Sequence, residues 1–373
     1  MEIKFRSNIV GKSIPWLGGT SILAVGSYIL ISCFITLSYF ISPLFLPIIS
    51  SLSIVIPATV FLYSFFLIPL YLYRKPFIII PLAFLIANLV QCLGTQRRMD
   101  VIGDEKGGTI SVLNYNVGFL HTRGDFSDEY DSKEHNPRAL NIKKYILDKN
   151  ADIICLQEFW NDDSSKVFDT RAKLKKKGYE EYVLAKPKFI PYRVRGLAIF
   201  SKYPILRNEE VFFTDNNFNG SQFVDLLVNG DTLRVINVHL KSLQLGKLHP
   251  ERLVDLPQAI WRIISAHANV QKTRYKQALA LLKVADEVSY PVIIAGDFNS
   301  TNMSYLFREL NDKFPNASKV KQIMPDGTIS IKGIPLKIDH QFTSEELKPI
   351  DVNVDISMNS TYHFPVFGTY TMN

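Results

Sequence analysis

Seven polar side chains recur at one kind of place in this sequence, at or just beyond the end of an apolar, β-branched run. Asn116 stands near the end of ISVLNYNV (110–117), Glu158 near the end of ADIICLQEF (151–159) and His239 near the end of DTLRVINVHL (231–240). Asp297 and Asn299 end PVIIAGDFNS (291–300), Asp339 lies in KIDHQFTS (337–344), and His363 stands just ahead of VFGTYTM (366–372). Singly, each has an ordinary role: Asn116 as a turn cap, Glu158 as a surface carboxylate, His239 as a hydrogen-bonded structural histidine. Together they carry more, because desolvating ionisable groups on apolar segments is costly unless they are paired. The set offers hard oxygen donors, which suit Mg²⁺ or Mn²⁺ better than zinc. It also offers imidazoles able to protonate a leaving group or stabilise a phosphoryl transition state. Metal-assisted attack of water on a phosphate ester needs that combination.

Elements that could position these residues follow from local pattern. The six runs above read as strands, as do GLAIFS (196–201), EEVFFT (209–214) and QFVDLLVN (222–229). Asn229-Gly230 marks a two-residue hairpin of type I′ character. Pro137–Lys149 has helical apolar spacing with proline in its first turn. Val167–Lys177, closed by Gly178, and Gln271–Ser289 are two further helices. Strands mixed with helices predict two packed sheets covered by helices, an α/β class.

The N-terminal region has a different composition. The chain is 47% hydrophobic and 21% charged, with a net charge of +7, yet no charged residue lies between Ser13 and Tyr73. Three apolar stretches, about 16–41, 50–73 and 76–94, are each long enough to cross a hydrocarbon core of about 30 Å. They predict a bundle of three transmembrane helices over 1–94, a linker over 95–109 and a folded domain over 110–373. The protein is then expected to be an integral multi-pass membrane protein with the bilayer as a partner. Lys4, Arg6 and Lys12 before the first stretch, and Arg74 and Lys75 after the second, place the folded domain on the non-cytoplasmic side. Basic residues flanking membrane segments also account for about half of the net charge, so charge is weak support for a nucleic-acid partner. Cys33 and Cys92 lie in apolar stretches and Cys155 stands alone, which leaves no basis for a disulfide framework or a thiolate metal site.

NYNV (114–117), LQEF (156–159), NVHLKS (237–242), GDFNS (296–300), IDH (338–340) and YHFPV (362–366) resemble, in order and spacing, the motifs of the endonuclease/exonuclease/phosphatase superfamily. The resemblance covers the whole of 110–373. It implies a deoxyribonuclease I-like four-layer sandwich, two mixed β-sheets flanked by helices. It further implies Glu158 as principal metal ligand with Asn116 beside it, and Mg²⁺ or Mn²⁺ as cofactor. Asp297 would orient or deprotonate the attacking water, and Asn299 would hold the nucleophile or a phosphate oxygen. His363 would be the C-terminal catalytic histidine with Asp339 as its carboxylate partner, and His239 the second catalytic histidine. His340, where the family varies, reads as structural.

Two departures stand out. Tyr362 precedes the last histidine where the family usually has Asp, and 193–197, the stretch matched to a supporting carboxylate for His239, holds no acid. Arg195 in that stretch is a candidate phosphate contact. The expected function is a membrane-tethered, divalent-metal-dependent phosphoesterase acting on nucleic acid or a phospholipid headgroup, with no protein partner inferable. Tyr362 supports an alternative, a catalytically impaired phosphate-binding module on a membrane anchor. Two segments bear on the substrate. FIPYRVR (189–195) interleaves aromatic and basic residues as a single-strand binder would, and the leucine-rich connection 241–270 reads either as a lipid-touching lid or as a packed insertion.

Overall fold

The computed structural model describes residues 30–55, 79, 82–83, 85–86, 108–121, 136–185, 192–214, 218–243, 256–317, 327–331 and 334–372. Two sheets face each other. The first runs β12 (Leu347–Val354), β13 (Val366–Met372), β1 (Thr109–Asn116), β2 (Ile153–Asp162), β4 (Arg193–Ser201), β3 (Glu180–Ala185). The second runs β11 (Asp339–Thr343), β8 (Val292–Asp297), β7 (Asp231–His239), β6 (Asn219–Val228), β5 (Ile205–Thr214). A small ribbon, β9 (Ile329–Ile331) with β10 (Ile334–Leu336), stands apart from both.

Strand alternation builds the layers. Ile110, Val112, Ile153 and Cys155 of the first sheet meet Leu233, Val235, Ile293 and Ala295 of the second in one buried core. The intervening residues point outward: Leu113, Ile154 and Leu156 pack under the helix Pro137–Lys149, and Ile236, Val238 and Ile294 under the helices Leu256–Asp286 and Tyr305–Lys313. The result is the expected helix–sheet–sheet–helix sandwich.

Each sheet contains one parallel pair joined through a helix. β1 pairs with β2 across Pro137–Lys149, and β7 with β8 across Leu256–Asp286. Ligands of such units bind beyond the carboxyl ends of the parallel strands. Asn116, His239 and Asp297 lie at those ends, and Glu158 directly follows Gln157, the last residue of β2 paired with β1.

Local chemistry sets several boundaries. Asn136 caps the first helix by accepting from Ala139 N at 3.0 Å, and Asn150 closes it with φ 48°. Asn229 and Gly230, with φ 53° and 101°, make the expected left-handed hairpin turn between β6 and β7. The helix expected over Val167–Lys177 begins only at Arg171, because the Asn161 side chain takes the N–H groups of Thr170 and Arg171 and starts the helix there. The helix expected over Gln271–Ser289 spans Leu256–Asp286, so the described part of the 241–270 connection is mostly helix, while 244–255 lies outside the described residues. β3, β12 and the helix Tyr305–Lys313 have no counterpart in the sequence reading.

The membrane reading needs correction. Among the described residues no helix is long and apolar enough to cross a membrane, which overturns both the three-helix bundle and the multi-pass location. Most of the expected spans lies outside the described residues. What is described of the first ends as helix at 38, in a turn at 39–40. The start of the second is a helical turn, Pro47–Ser51, followed by Leu52–Val55. Apolar residues there are used for packing on the folded domain: Ile35 and Leu52 pack with Met303, and Arg308 stacks on Tyr39 and Phe40.

Gly296, directly before Asp297, lets β8 approach β7 closely. A Cβ there would fall on the Val238 carbonyl. Gly296→Ala is expected to cost about 3 kcal/mol through forced strand separation, read as a drop in the urea midpoint at unchanged m.

Candidate active site

Register brings the row together. His239 on β7 and Asp339 on β11 are the cross-strand partners of Asp297 on β8, one on each side. Successive same-face positions along β7 and β8 (235, 237, 239 and 293, 295, 297) put His239 and Asp297 on the face turned toward the first sheet. Asn116 reaches across from β1, donating from Nδ2 to Asp297 Oδ2 at 3.0 Å. Asp297 Oδ2 also lies 3.7 Å from His239 Nε2 and 3.7 Å from His363 Nε2.

Glu158 arrives by a different device. Strict alternation after Gln157 would turn it to the helix-covered face, but β2 carries an irregularity between Leu156 and Phe159. Glu158 is the extra residue, with φ 47°, a conformation costly for a residue with a Cβ. Its Oε1 lies 3.9 Å from His239 Nε2. Asn299 is likewise left-handed at φ 50°. Its N–H donates to Asp297 Oδ1 at 2.8 Å and its Nδ2 to Leu240 O at 3.1 Å.

The histidines are oriented from behind. His363 Nδ1 meets Asp339 Oδ2 at 2.9 Å. Burial opposes charge on His363, yet the carboxylates of Asp339 and Asp297 outweigh it and push the imidazole up to about 9. Asp339 is itself pushed up by burial, with His363 pulling against that and Asp297 adding to it. Thr328 Oγ1 secures its backbone, accepting from the N–H groups of Ile338 and Asp339. The supporting acid absent from 193–197 is replaced by a carbonyl: His239 Nδ1 donates to Phe218 O at 3.1 Å, leaving Nε2 toward Glu158 and Asp297.

All seven expected residues therefore meet at one rim of the sandwich. Arg195 is linked to them through Phe218, whose carbonyl holds His239; its guanidinium carbon lies 3.9 Å from the Phe119 ring centre and 4.2 Å from that of Phe218. Tyr362 is 70% exposed. His340 is buried among Phe298, Phe307 and Phe342, with Nε2 donating to Ser300 O; burial, then Lys337, push it down to about 3, so it stays neutral. Of FIPYRVR, Arg193 is committed to Asp162 at 2.7 Å, and 189–191 lies outside the described residues. The sequence reading missed the backbone partners Phe218 O and Leu240 O, which no side-chain pattern encodes.

Donor atoms of Asp297, Asp339 and His363 lie within 4.8 Å of one another, a grouping able to hold a metal ion. A cation seated there would compete with the 2.9 Å Asp339–His363 hydrogen bond. Glu158 stands beside His239 on the other flank of Asp297, and the Asn116 oxygen accepts from Gly118 N at 3.0 Å.

Residues 113–360 match the Endonuclease/Exonuclease/phosphatase family. The chain belongs to that family. Its members are hydrolases of phosphoester bonds, typically metal-dependent. Among solved structures, humanized D. rerio TDP2 carrying 14 mutations is 17% identical with a TM-score of 0.50, over 71% of this chain and 99% of that one. The human Nocturnin catalytic domain with bound sulfate is 17% identical with a TM-score of 0.50, over 74% and 100%. At such identity these likenesses concern the fold alone. No curated protein matches the chain.

The raised His363 value has a sign that can be tested. Its contribution to stability is fully present below the unfolded value of about 6.5 and is lost as pH rises through about 9. Asp339→Asn should return the His363 titration, followed by its imidazole proton resonances, to about 6.5 or below, and the alkaline loss of thermal stability should shrink with it.

Proposed function

We propose that this protein is a divalent-cation-dependent phosphodiesterase that hydrolyses its substrate by in-line attack of water. The observation that carries the reading is the Asp297 carboxylate oxygen with an imidazole Nε2 at 3.7 Å on each side of it. Water attack on a diester needs a group to take the proton of water, a positive donor for the phosphoryl oxygens, and a donor for the departing oxygen.

Asp297 Oδ2 takes the proton, its other oxygen being held by the Asn299 N–H. The Asn299 side chain keeps the nucleophile or a phosphate oxygen in place. His363, charged at neutral pH and fixed by Asp339, donates to the phosphoryl oxygens as negative charge builds on them. His239, its ring locked by donation from Nδ1 to the Phe218 carbonyl, gives a second proton from Nε2 to the departing oxygen, so it acts as the imidazolium and ends the step neutral. Glu158 and Asn116 would hold Mg²⁺ or Mn²⁺, which supplies Lewis-acid polarisation of the phosphoryl group. Arg195, stacked against two rings and so restricted in orientation, contacts a phosphate oxygen of the substrate.

The test is a panel with Mg²⁺, Mn²⁺ or EDTA: bis-p-nitrophenyl phosphate, p-nitrophenyl phosphate, DNA and sphingomyelin vesicles. The diester is expected to turn over faster than the monoester, with EDTA abolishing both, and the DNA and vesicle arms separate the two classes of natural diester. Glu158→Gln, Asp297→Asn and His363→Ala should each lower kcat by ~10²–10⁴-fold. A wild type inert on every substrate, with hydrolysis appearing only in Tyr362→Asp, would replace this reading by that of an impaired phosphate-binding protein.

A further inference from the structure

The helix Leu256–Asp286 carries one buried guanidinium, that of Arg274, which is 3% exposed. Among the described residues it has no ion-pair partner, and the carboxylate that attracts it is Asp297. A buried cation without a paired anion is expensive and needs a reason. Burial pushes Arg274 down to about 10, which still leaves it charged at neutral pH. Its field is felt at His267, two turns earlier on the same helix, which burial and then Arg274 push down to about 4.

The same face of the helix grips the turn that follows His239. Arg274 Nε donates to Lys241 O at 2.6 Å, and Lys241 N donates to Gln277 Oε1 at 3.0 Å. One residue back, Leu240 N donates to Asp297 O at 2.9 Å. The Leu240 carbonyl accepts from Asn299 Nδ2 at 3.1 Å and from Asn219 Nδ2 at 3.0 Å. The residue held by Arg274 and Gln277 thus adjoins the residue on which Asn299 is hung.

We propose that Arg274 is a positioning residue of the phosphoesterase site and a built-in counter-charge to Asp297: from behind the sheet it fixes the His239–Lys241 turn and sets a positive charge against that carboxylate. The inference rests on the phosphoesterase reading above. It has a consequence that structural support alone lacks. Asp297 helps to attract a divalent cation, so a fixed positive charge acting on it weakens cation binding while it favours an anionic phosphoester. Removing that charge must move the two affinities in opposite directions.

The experiment uses the full-length chain, with Mn²⁺ affinity measured by titration calorimetry and bis-p-nitrophenyl phosphate kinetics measured in parallel. Arg274→Gln removes the charge. Gln277→Glu keeps the acceptor for Lys241 N and adds a negative charge beside it, so it carries the test even if Arg274→Gln fails to fold. Both are expected to bind Mn²⁺ ~3–10-fold more tightly and to raise KM by ~3–10-fold, with a lower kcat. Arg274→Lys should hold Mn²⁺ affinity within ~2-fold of wild type. Mn²⁺ affinity unchanged or weakened in Gln277→Glu, with its thermal midpoint intact and the wild type active, overturns this inference alone. A wild type that neither binds Mn²⁺ nor hydrolyses the diester overturns the phosphoesterase reading and the role of Arg274 with it.

Discussion

The hydrogen bond from Asn116 to Asp297 joins the two sheets at the point where chemistry is proposed. One partner ends β1 of the first sheet and the other ends β8 of the second, so the bond forms only if the sheets face each other in one relative position. Everything else at the rim is measured from Asp297: a histidine on each side, Asn299 over its second oxygen, and Asp339 one strand away. A rim of this kind has little tolerance for sliding of one sheet past the other.

Buried amides between the sheets resist that sliding. Gln157 Nε2 donates to Asn114 Oδ1 at 2.8 Å and to Asn237 Oδ1 at 2.6 Å, while Asn237 Nδ2 donates to the carbonyls of Leu156 and Ala198. Gln341 Nε2 bonds the carbonyls of Val112 and Val366, and Tyr370 Oη closes on its oxygen. An apolar core packs well in several relative positions, whereas such amides satisfy their polar atoms in very few. They lie on the same inter-sheet face as His239 and Asp297, so holding the sheets in place and holding the candidate site together are one task. Left-handed backbone at Glu158 and Asn299 adds strain beside this rigid frame, where surrounding hydrogen bonds can sustain it.

Much of this was legible in the chain. The helix Pro137–Lys149 and the hairpin at Asn229-Gly230 were readable because their signals are local: a proline in the first turn, and a residue pair tolerant of positive φ. β3 and β12 escaped because neither carries a strong run of its own, and pairing with β4 and β13 makes them strands. The N-terminal apolar stretches misled because hydropathy counts residues and cannot tell which of them will face a neighbouring segment of the folded domain. Ile35, Tyr39 and Leu52 have such neighbours, and among the described residues the helices there are too short to span.

By itself the sequence determined the kinds of groups at the site, their order, and the strand ends that carry them, since each of these is a property of a short segment. Only the tertiary structure decided that Glu158 leaves strand alternation through a bulge, that a carbonyl from Phe218 supports His239 in place of an acid, and that Arg274 stands behind the site. Those features depend on hydrogen bonds between residues some tens of positions apart. Such bonds have no signature until the chain has closed the loops between them.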